Sequence, residues 1–246
     1  DLSVGSVVGL SGVVMAMSLR SGMAAPAAVL LSLAASIIIG FINGVLIYNG
    51  KVPPFIATMG TMTVTRAAIM LITGAKTISG LPKSFTGLAQ ADIFGVPFLS
   101  IAWLIVTLIA WFIAKKTVFG RNIFAYGSNK EAARLSGINV RRTLYGVYIF
   151  SATVCCIAGI LLTARLGNGV PTAGDGYELD AIAASVVGGA SLDGGEGSVI
   201  GTVLGAMIMA TLRQGGTLLG INSFILEIII GSLIVVAVLL DKLRKR

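Results

Sequence analysis

Histidine is absent from the 246 residues, and cysteine occurs only twice, at the adjacent positions Cys155 and Cys156. Without histidine there is no Ser/His/Asp or Cys/His catalytic set. Two neighbouring cysteines inside one apolar run cannot staple distant segments and lack metal-ligand spacing, so they read as small buried side chains. A phosphate-cradling G-x-x-x-x-G-K-[ST] loop is missing too. The nearest pair, Gly50-Lys51, is followed by Val52 and has no upstream glycine of that motif. No catalytic residue, metal ligand or resident cofactor is therefore expected in this chain. Charge is equally scarce, at 11% of residues. A soluble domain carries roughly 25%, so this chain lacks the means to cover itself with a wetted surface.

What is present is apolar. Hydrophobic residues make up 56% of the sequence. Runs long enough to cross the about 30 Å hydrocarbon core of a bilayer recur along it. Spans are expected at 2–19, 27–48, 54–73, 97–114, 143–163, 198–213 and 223–241, with a shorter apolar segment at 180–190. The fold class is thus all-α, a polytopic transmembrane bundle forming one domain over 1–246. The 32 glycines suit close helix packing in lipid. The chain opens on Asp1 with no basic or cleavable leader before the first span, which reads as an N-terminally trimmed start.

The net charge of +8 raises nucleic acid or anionic lipid as partners, and the placement of the basic residues decides for the membrane. If "DKLRKR" at the C-terminus is cytoplasmic and each span changes sides, Lys51, Lys115, Lys116, Arg121, Lys130, Arg134, Arg141, Arg142, Lys242, Arg244, Lys245 and Arg246 all lie inside. Arg20, Lys76, Lys83, Arg165 and Arg213 remain outside, the expected positive-inside bias. Segment 180–190 is too short to cross and is read as entering from outside. It is followed by "GGASLDGGEG", residues 188–197. A half-span ending in a glycine-rich break reads as a discontinuous, re-entrant element that is buried in protein or lines a wet cavity. Gly188, Gly189 and Asp193 are pathway candidates on that ground. "DLSVGSVVG" from Asp1 and "DAIAASVVG" from Asp180 echo each other, and each precedes a helix with a small-xxx-small pair, Gly40/Gly44 and Gly201/Gly205. Opposite directions for these segments give the pattern of an inverted repeat.

Polar residues inside spans are the remaining pathway candidates. Arg66 is placed to hydrogen-bond a solute hydroxyl or to hold glycine-broken backbone. Glu227 is placed to meet solute or a binding protein, or to cap its helix. Asp1 and Asp180 are placed to shape the pathway or to serve as N-caps. Asn43, between Gly40 and Gly44, touches solute or glues helices together. The segment "ARLGNGVPTAGDGYE", from Ala164, is either a contact for a delivering protein or a connector.

Between two apolar runs lies "GSNKEAARLSGINVRR", residues 127–142. Ser128 and Glu131 form a capping-box pattern, and Gly137 supplies a left-handed stop. The expected helix has about two turns, roughly 12 Å, with Ala132, Ala133 and Leu135 as an apolar patch and Lys130 and Arg134 turned away. Such a piece suits docking in a groove of another protein, or capping the chain's own cytoplasmic end.

"EAA" followed by a glycine in the longest cytoplasmic loop resembles the coupling helix of ABC importer permeases. "GSNKEAARLSGINV", "GYELDAIAASVVGGASLDGGEGSVIGTVLGA" and "DLSVGS" resemble, in order and over nearly the whole chain, the permeases that import ribose and related monosaccharides. The resemblance implies that the loop 127–140 couples to a cytoplasmic ATPase through Asn129, Glu131, Ala132, Ala133, Leu135 and Gly137. It also implies a second permease subunit, identical or different, and a periplasmic or lipid-anchored solute-binding protein. ATP and magnesium would be bound by the partner ATPase, and the chain would be a multi-pass protein of the bacterial inner membrane. Importers of nucleosides, furanose-type signals or branched-chain amino acids share this architecture. A secondary transporter is the alternative from another class, though it ordinarily wants more ionisable residues in its spans, and a membrane-embedded enzyme is a third class.

Overall fold

A computed structural model describes residues 1–244; Lys245 and Arg246, assigned above to the cytoplasmic end, lie outside the described residues. In chain order the helices are Val4–Arg20 (α1), Ala25–Tyr48 (α2), Pro54–Thr73 (α3) and the single turn Lys83–Thr86 (α4). A small hairpin follows, Asp92–Ile93 (β1) and Val96–Pro97 (β2). The remaining helices are Phe98–Lys116 (α5), Val118–Ser128 (α6), Lys130–Leu135 (α7), Val140–Leu166 (α8), Tyr177–Val187 (α9), Val199–Leu218 (α10) and Ser223–Arg244 (α11). The chain forms two compact units. The first comprises Asp1–Val106 and Arg141–Glu178; the second comprises Thr107–Val140 and the chain from Leu179 onward.

Among the described residues, α2, α3, α5 and α8 are long and apolar enough to cross a membrane. The protein is thus an all-α, multi-pass membrane protein. Helix α2 shows how its sequence produces this. Its buried residues, Ala28, Ser32, Ser36, Gly40, Asn43 and Gly44, recur at three- and four-residue spacing on one small, polar stripe. Leu30, Leu31, Ile38 and Phe41 face outward. Lipid tails are as apolar as leucine, so large side chains gain nothing by leaving them, and close backbone contact decides which face turns inward. A Cβ on Gly40 would lie 2.9 Å from Ala152 Cβ, and one on Gly44 would lie 3.2 Å from the Tyr145 ring, both on α8. The buried serine hydroxyls are satisfied within the helix, Ser32 donating to Ala28 O and Ser36 to Ser32 O, each at 2.9 Å.

Helix α1, expected as a span, has 17 residues, about 25 Å at 1.5 Å per residue. Gly5, Ser6, Gly9, Ser11, Gly12, Val13 and Ala16 are all buried, on every side of the helix. It is the inner rod of the first unit, packed by α2 and α3. Met15 and Leu19 join Ala28, Phe85 and Ala164 in one core cluster, and Val13 and Ala16 join Ile69 and Ile78 in another. Among the described residues none of α5 is fully buried, and Trp103, Leu104, Ile105, Leu108, Ile109 and Phe112 are exposed.

In the second unit α9 and α10 form an antiparallel helical hairpin. A Cβ on Gly201 would overlap Gly188 O, and one on Gly205 would overlap Ala184 O, so positions rise along one helix as they fall along the other. Ala183, Ala184, Met209 and Ile230 form the core beside it. The apolar segment and the glycine-rich break after it thus form a short helix, a turn and a 20-residue helix that returns beside it.

The sequence echo does not give the same local structure twice. Gly9 sits inside α1, which continues for eleven residues to Arg20, whereas Gly188 closes α9. The cause is the next residue. Gly189 lies at φ +88° and donates its N–H to Val186 O, while Ala190 donates to Ser185 O, a Schellman stop. The paired glycines also differ in partner, since Gly40 and Gly44 meet α8 and Gly201 and Gly205 meet α9.

Candidate functional site

The charged stretch carries one whole helix, α7, between the last residues of α6 and the first of α8; α6 itself lies upstream of it. Thr117 ends α5 and begins α6: its hydroxyl donates to Ile113 O at 2.6 Å and accepts from Gly120 N at 3.1 Å. The glycines at 120 and 127 obscured α6 in the sequence, because both count against a helix interior. Each is required by a close approach. A Cβ on Gly120 would overlap the carbonyls of Ile113 and Ala114, and one on Gly127 would lie 2.6 Å from the Gly195 amide nitrogen.

The start of α7 corrects the capping-box expectation. Ser128 ends α6, and Asn129 is the N-cap, its Oδ1 accepting from Ala132 N at 2.9 Å. Asn129 has extended backbone (φ −155°, ψ 111°), which breaks the chain direction between the helices. Glu131 then pairs with Arg134 at 3.4 Å, with both side chains at least 70% exposed. Gly137 acts as the sequence indicated. It lies at φ +81°, its N–H reaches Arg134 O, and the N–H of Ile138 reaches Ala133 O, each at 3.1 Å.

The expected apolar patch is divided. Ala133 is buried at 4% exposure, whereas Ala132 is exposed and Leu135 is 83% exposed. One alanine therefore seats α7, and Ala132 and Leu135 remain on its open surface. Lys130 lies over the Tyr126 ring, 5.9 Å from its centroid. Burial raises the Tyr126 phenol above its ordinary value.

The glycine-rich break lies at the α6–α7 end of the second unit, at the start of α10 rather than partway along it. Gly194 and Gly195 adopt φ +94° and +78°, and a Cβ on Gly194 would lie 2.6 Å from Gly127 O. Within the break Ser191 N–H donates to Glu196 O at 3.0 Å, and Ser191 Oγ accepts from Asp193 N at 3.2 Å. Ser198 caps α10 by accepting from Gly201 N at 3.0 Å. Gly188 and Gly189 thus serve close packing and helix termination, and Asp193 is held in the turn.

The other polar candidates have defined partners. In the first unit Asn43, 1% exposed, donates from Nδ2 to Ser3 Oγ at 2.9 Å and accepts from Thr61 Oγ1 at 2.7 Å. Ser3 Oγ in turn donates to Asp1 Oδ1 at 2.6 Å, and Asp1 Oδ2 accepts from Ser151 Oγ at 2.9 Å. Side chains from α2, α3, α8 and the lead-in to α1 are thereby joined. Arg66 Nη1 donates to Pro171 O at 3.1 Å and Ala173 O at 2.8 Å, and Gly9 makes room for it on α1. The 164–178 segment is further fixed by paired backbone bonds between Ile78 and Gly169, both 2.9 Å. Tyr177 at its end is exposed.

Asp180 is not an N-cap. It lies inside α9 and accepts from Arg213 Nη2 of α10 at 2.6 Å. Glu227 does not cap α11 either; Asn222 does, accepting from Phe224 N at 2.9 Å, and Glu227 is exposed. Sequence reasoning passed over Ser3, Thr61 and Asn222. Asn222 carried a usable signal as an N-cap type before an apolar run, whereas the other two are ordinary small polar residues until a neighbouring helix arrives. Among the described residues, no group of three His, Cys, Asp or Glu side chains is placed to hold a metal.

Residues 1–239 match the family described as "Branched-chain amino acid transport system / permease component". The ribose import permease protein RbsC of Bacillus subtilis is 41% identical over 244 residues, covering 98% of this chain and 76% of that protein. RbsC of Escherichia coli K12 is 41% identical over 252 residues, with the same coverages. The galactose/methyl galactoside import permease protein MglC of Haemophilus influenzae is 38% identical over 263 residues, covering 99% of this chain and 78% of that protein. No solved structure matches the chain. Helices that cross a bilayer, a partly unseated helix between them and likeness along nearly the entire length point the same way, and the chain belongs to this permease-component family, a transporter subunit rather than an enzyme.

Proposed function

We propose that this chain is the membrane subunit of an ATP-driven importer that takes up a monosaccharide of the ribose type across the inner membrane, with its C-terminus cytoplasmic. The observation that carries the reading is α7. It is a six-residue helix with Leu135 83% exposed, attached through Ala133 and stopped sharply at Gly137. A helix this short does not persist alone in water, and an exposed leucine there gains free energy only when a partner covers it. A cleft on a cytoplasmic ATPase is that partner, with Asn129, Glu131, Ala132 and Gly137 setting the shape presented to it.

In this reading two permease subunits enclose the pathway, ATP and magnesium are held by the ATPase pair, and a binding protein delivers the sugar. ATP favours one state of the pair over the other, and α7 passes that preference to the helices. Asn43, Arg66 and Asp180 act on the pathway by holding its walls, since each is engaged with protein. Gly188, Gly189 and Asp193 act at its α7 end, and exposed Glu227 faces outward from α11. The sugar names of the relatives support a monosaccharide as cargo. The family's printed description makes branched-chain amino acids the second reading.

The test is reconstitution with a partner ATPase and solute-binding protein, assaying uptake of D-ribose and of L-leucine into vesicles. ATP-dependent ribose accumulation is expected. Leucine uptake alone would replace the cargo, and ribose uptake by the chain without an ATPase would overturn the importer reading.

A further inference from the structure

The coupling reading leaves open how a displacement of α7 reaches the transmembrane helices of the second unit. The break between α9 and α10 lies backbone to backbone on the residues just before α7. Adding a Cβ to Gly127 brings it 2.6 Å from Gly195 N, adding one to Gly194 brings it 2.6 Å from Gly127 O, and adding one to Gly195 brings it 2.8 Å from Ser128 Cα. Separations below 3.0 Å to backbone cannot be relieved by turning a side chain. The contact therefore requires the absence of side chains on both partners.

Two further features make the break a good receiver of motion. Gly194, Gly195 and Gly197 lie at φ +94°, +78° and +152°, conformations that glycine adopts without the steric cost of a Cβ. The break is also anchored at both ends, by the Schellman stop at Gly189 and by the Ser198 cap on α10. A displacement of residues 127–128 is thus delivered to two helix termini instead of being absorbed in slack chain. On the other side of the contact, Asn129 follows immediately and caps α7.

We infer that Gly127, Gly194 and Gly195 form a clasp that moves the α9–α10 hairpin with α7, and that they are positioning residues for energy coupling. This rests on the importer reading above. The clasp works as one body: prying it apart separates ATP hydrolysis from uptake.

The experiment uses the assembled importer, with ATPase subunits and binding protein, in proteoliposomes supplied with D-ribose. Gly127→Val should retain the ATPase subunits on copurification and hydrolyse ATP, yet lose at least tenfold in ribose transported per ATP. Gly195→Ala, which places a Cβ 2.8 Å from Ser128 Cα, should show the same fall in ribose transported per ATP with ATP hydrolysis retained. An unchanged coupling ratio in Gly127→Val or in Gly195→Ala overturns the inference. Should Gly127→Val fail to accumulate in membranes, Gly195→Ala decides alone. Failure of the wild-type chain to retain any ATPase subunit is a different result and sinks the importer reading itself.

Discussion

Replacing Asn43 with alanine tests whether the buried polar network is glue with replaceable joints. The substitution removes two hydrogen bonds, to Ser3 Oγ and from Thr61 Oγ1. Bonds of this kind between membrane helices average about 0.6 kcal/mol each. The three heavy atoms lost leave a cavity of roughly 50 Å³, costing about 1 kcal/mol at about 24 cal/mol per Å³. What decides the total is whether a partner is left orphaned, at about 1–3 kcal/mol for each buried group. Neither is. Ser3 Oγ keeps its bond to Asp1 Oδ1, and Thr61 Oγ1 keeps Thr58 O at 3.1 Å. The expected loss is therefore about 2 kcal/mol, a fall in Tm of roughly 4–8 °C for a protein of this size. Thermal unfolding in detergent can be followed with a thiol-reactive dye, because Cys156 is 1% exposed in the folded protein. A double-mutant cycle with Thr61→Val should show coupling of about 0.5 kcal/mol or more. A fall beyond about 12 °C would mean that partners were orphaned, contrary to the geometry, and no fall at all would mean that the network does not join the helices.

Leu135→Ser should leave Tm within about 1 °C, since an exposed side chain contributes little to stability, while weakening ATPase retention at least fivefold on a pull-down; a large Tm loss would show that Leu135 packs on its own chain. Arg66→Ala frees the carbonyls of Pro171 and Ala173, so amide exchange across 172–176 should accelerate at least tenfold, with Arg66→Lys intermediate. Equal exchange in all three proteins would sink the clamp. Asp180→Asn should cost less than about 1 kcal/mol and show little salt dependence, because the Arg213 partner is half exposed and such pairs are screened by solvent; a cost above about 3 kcal/mol would indicate a buried ion pair instead.

Local rules made several parts of the molecule legible before any folding was considered. Gly137 read as a left-handed stop and is one, because a Schellman motif is completed by residues within six positions of each other. The half-span and break before α10 followed from the length of an apolar run and the glycines after it. The capping box failed by one residue, since Asn129 follows Ser128 and both are good caps; extended backbone at Asn129 decided between them. Helix α6 went unseen because Gly120 and Gly127 weigh against a helix, and the neighbours that demand those glycines, Ala114 and Gly195, are not adjacent in sequence.

Composition alone determined that the chain is a helical membrane protein, because scarce charge and long apolar runs leave no other solvent that suits it. Spacing alone determined where most helices stop, because termination is chemistry between near neighbours. Which polar residue meets which was settled only by tertiary structure. Asn43 finds Ser3 and Thr61, Arg66 finds two carbonyls more than a hundred positions away, and Asp180 finds Arg213. In an apolar medium a hydrophobic pattern cannot tell the buried face from the lipid face. Those pairings were fixed by steric fit between glycine-rich backbones, a property that exists only once two helices have come together.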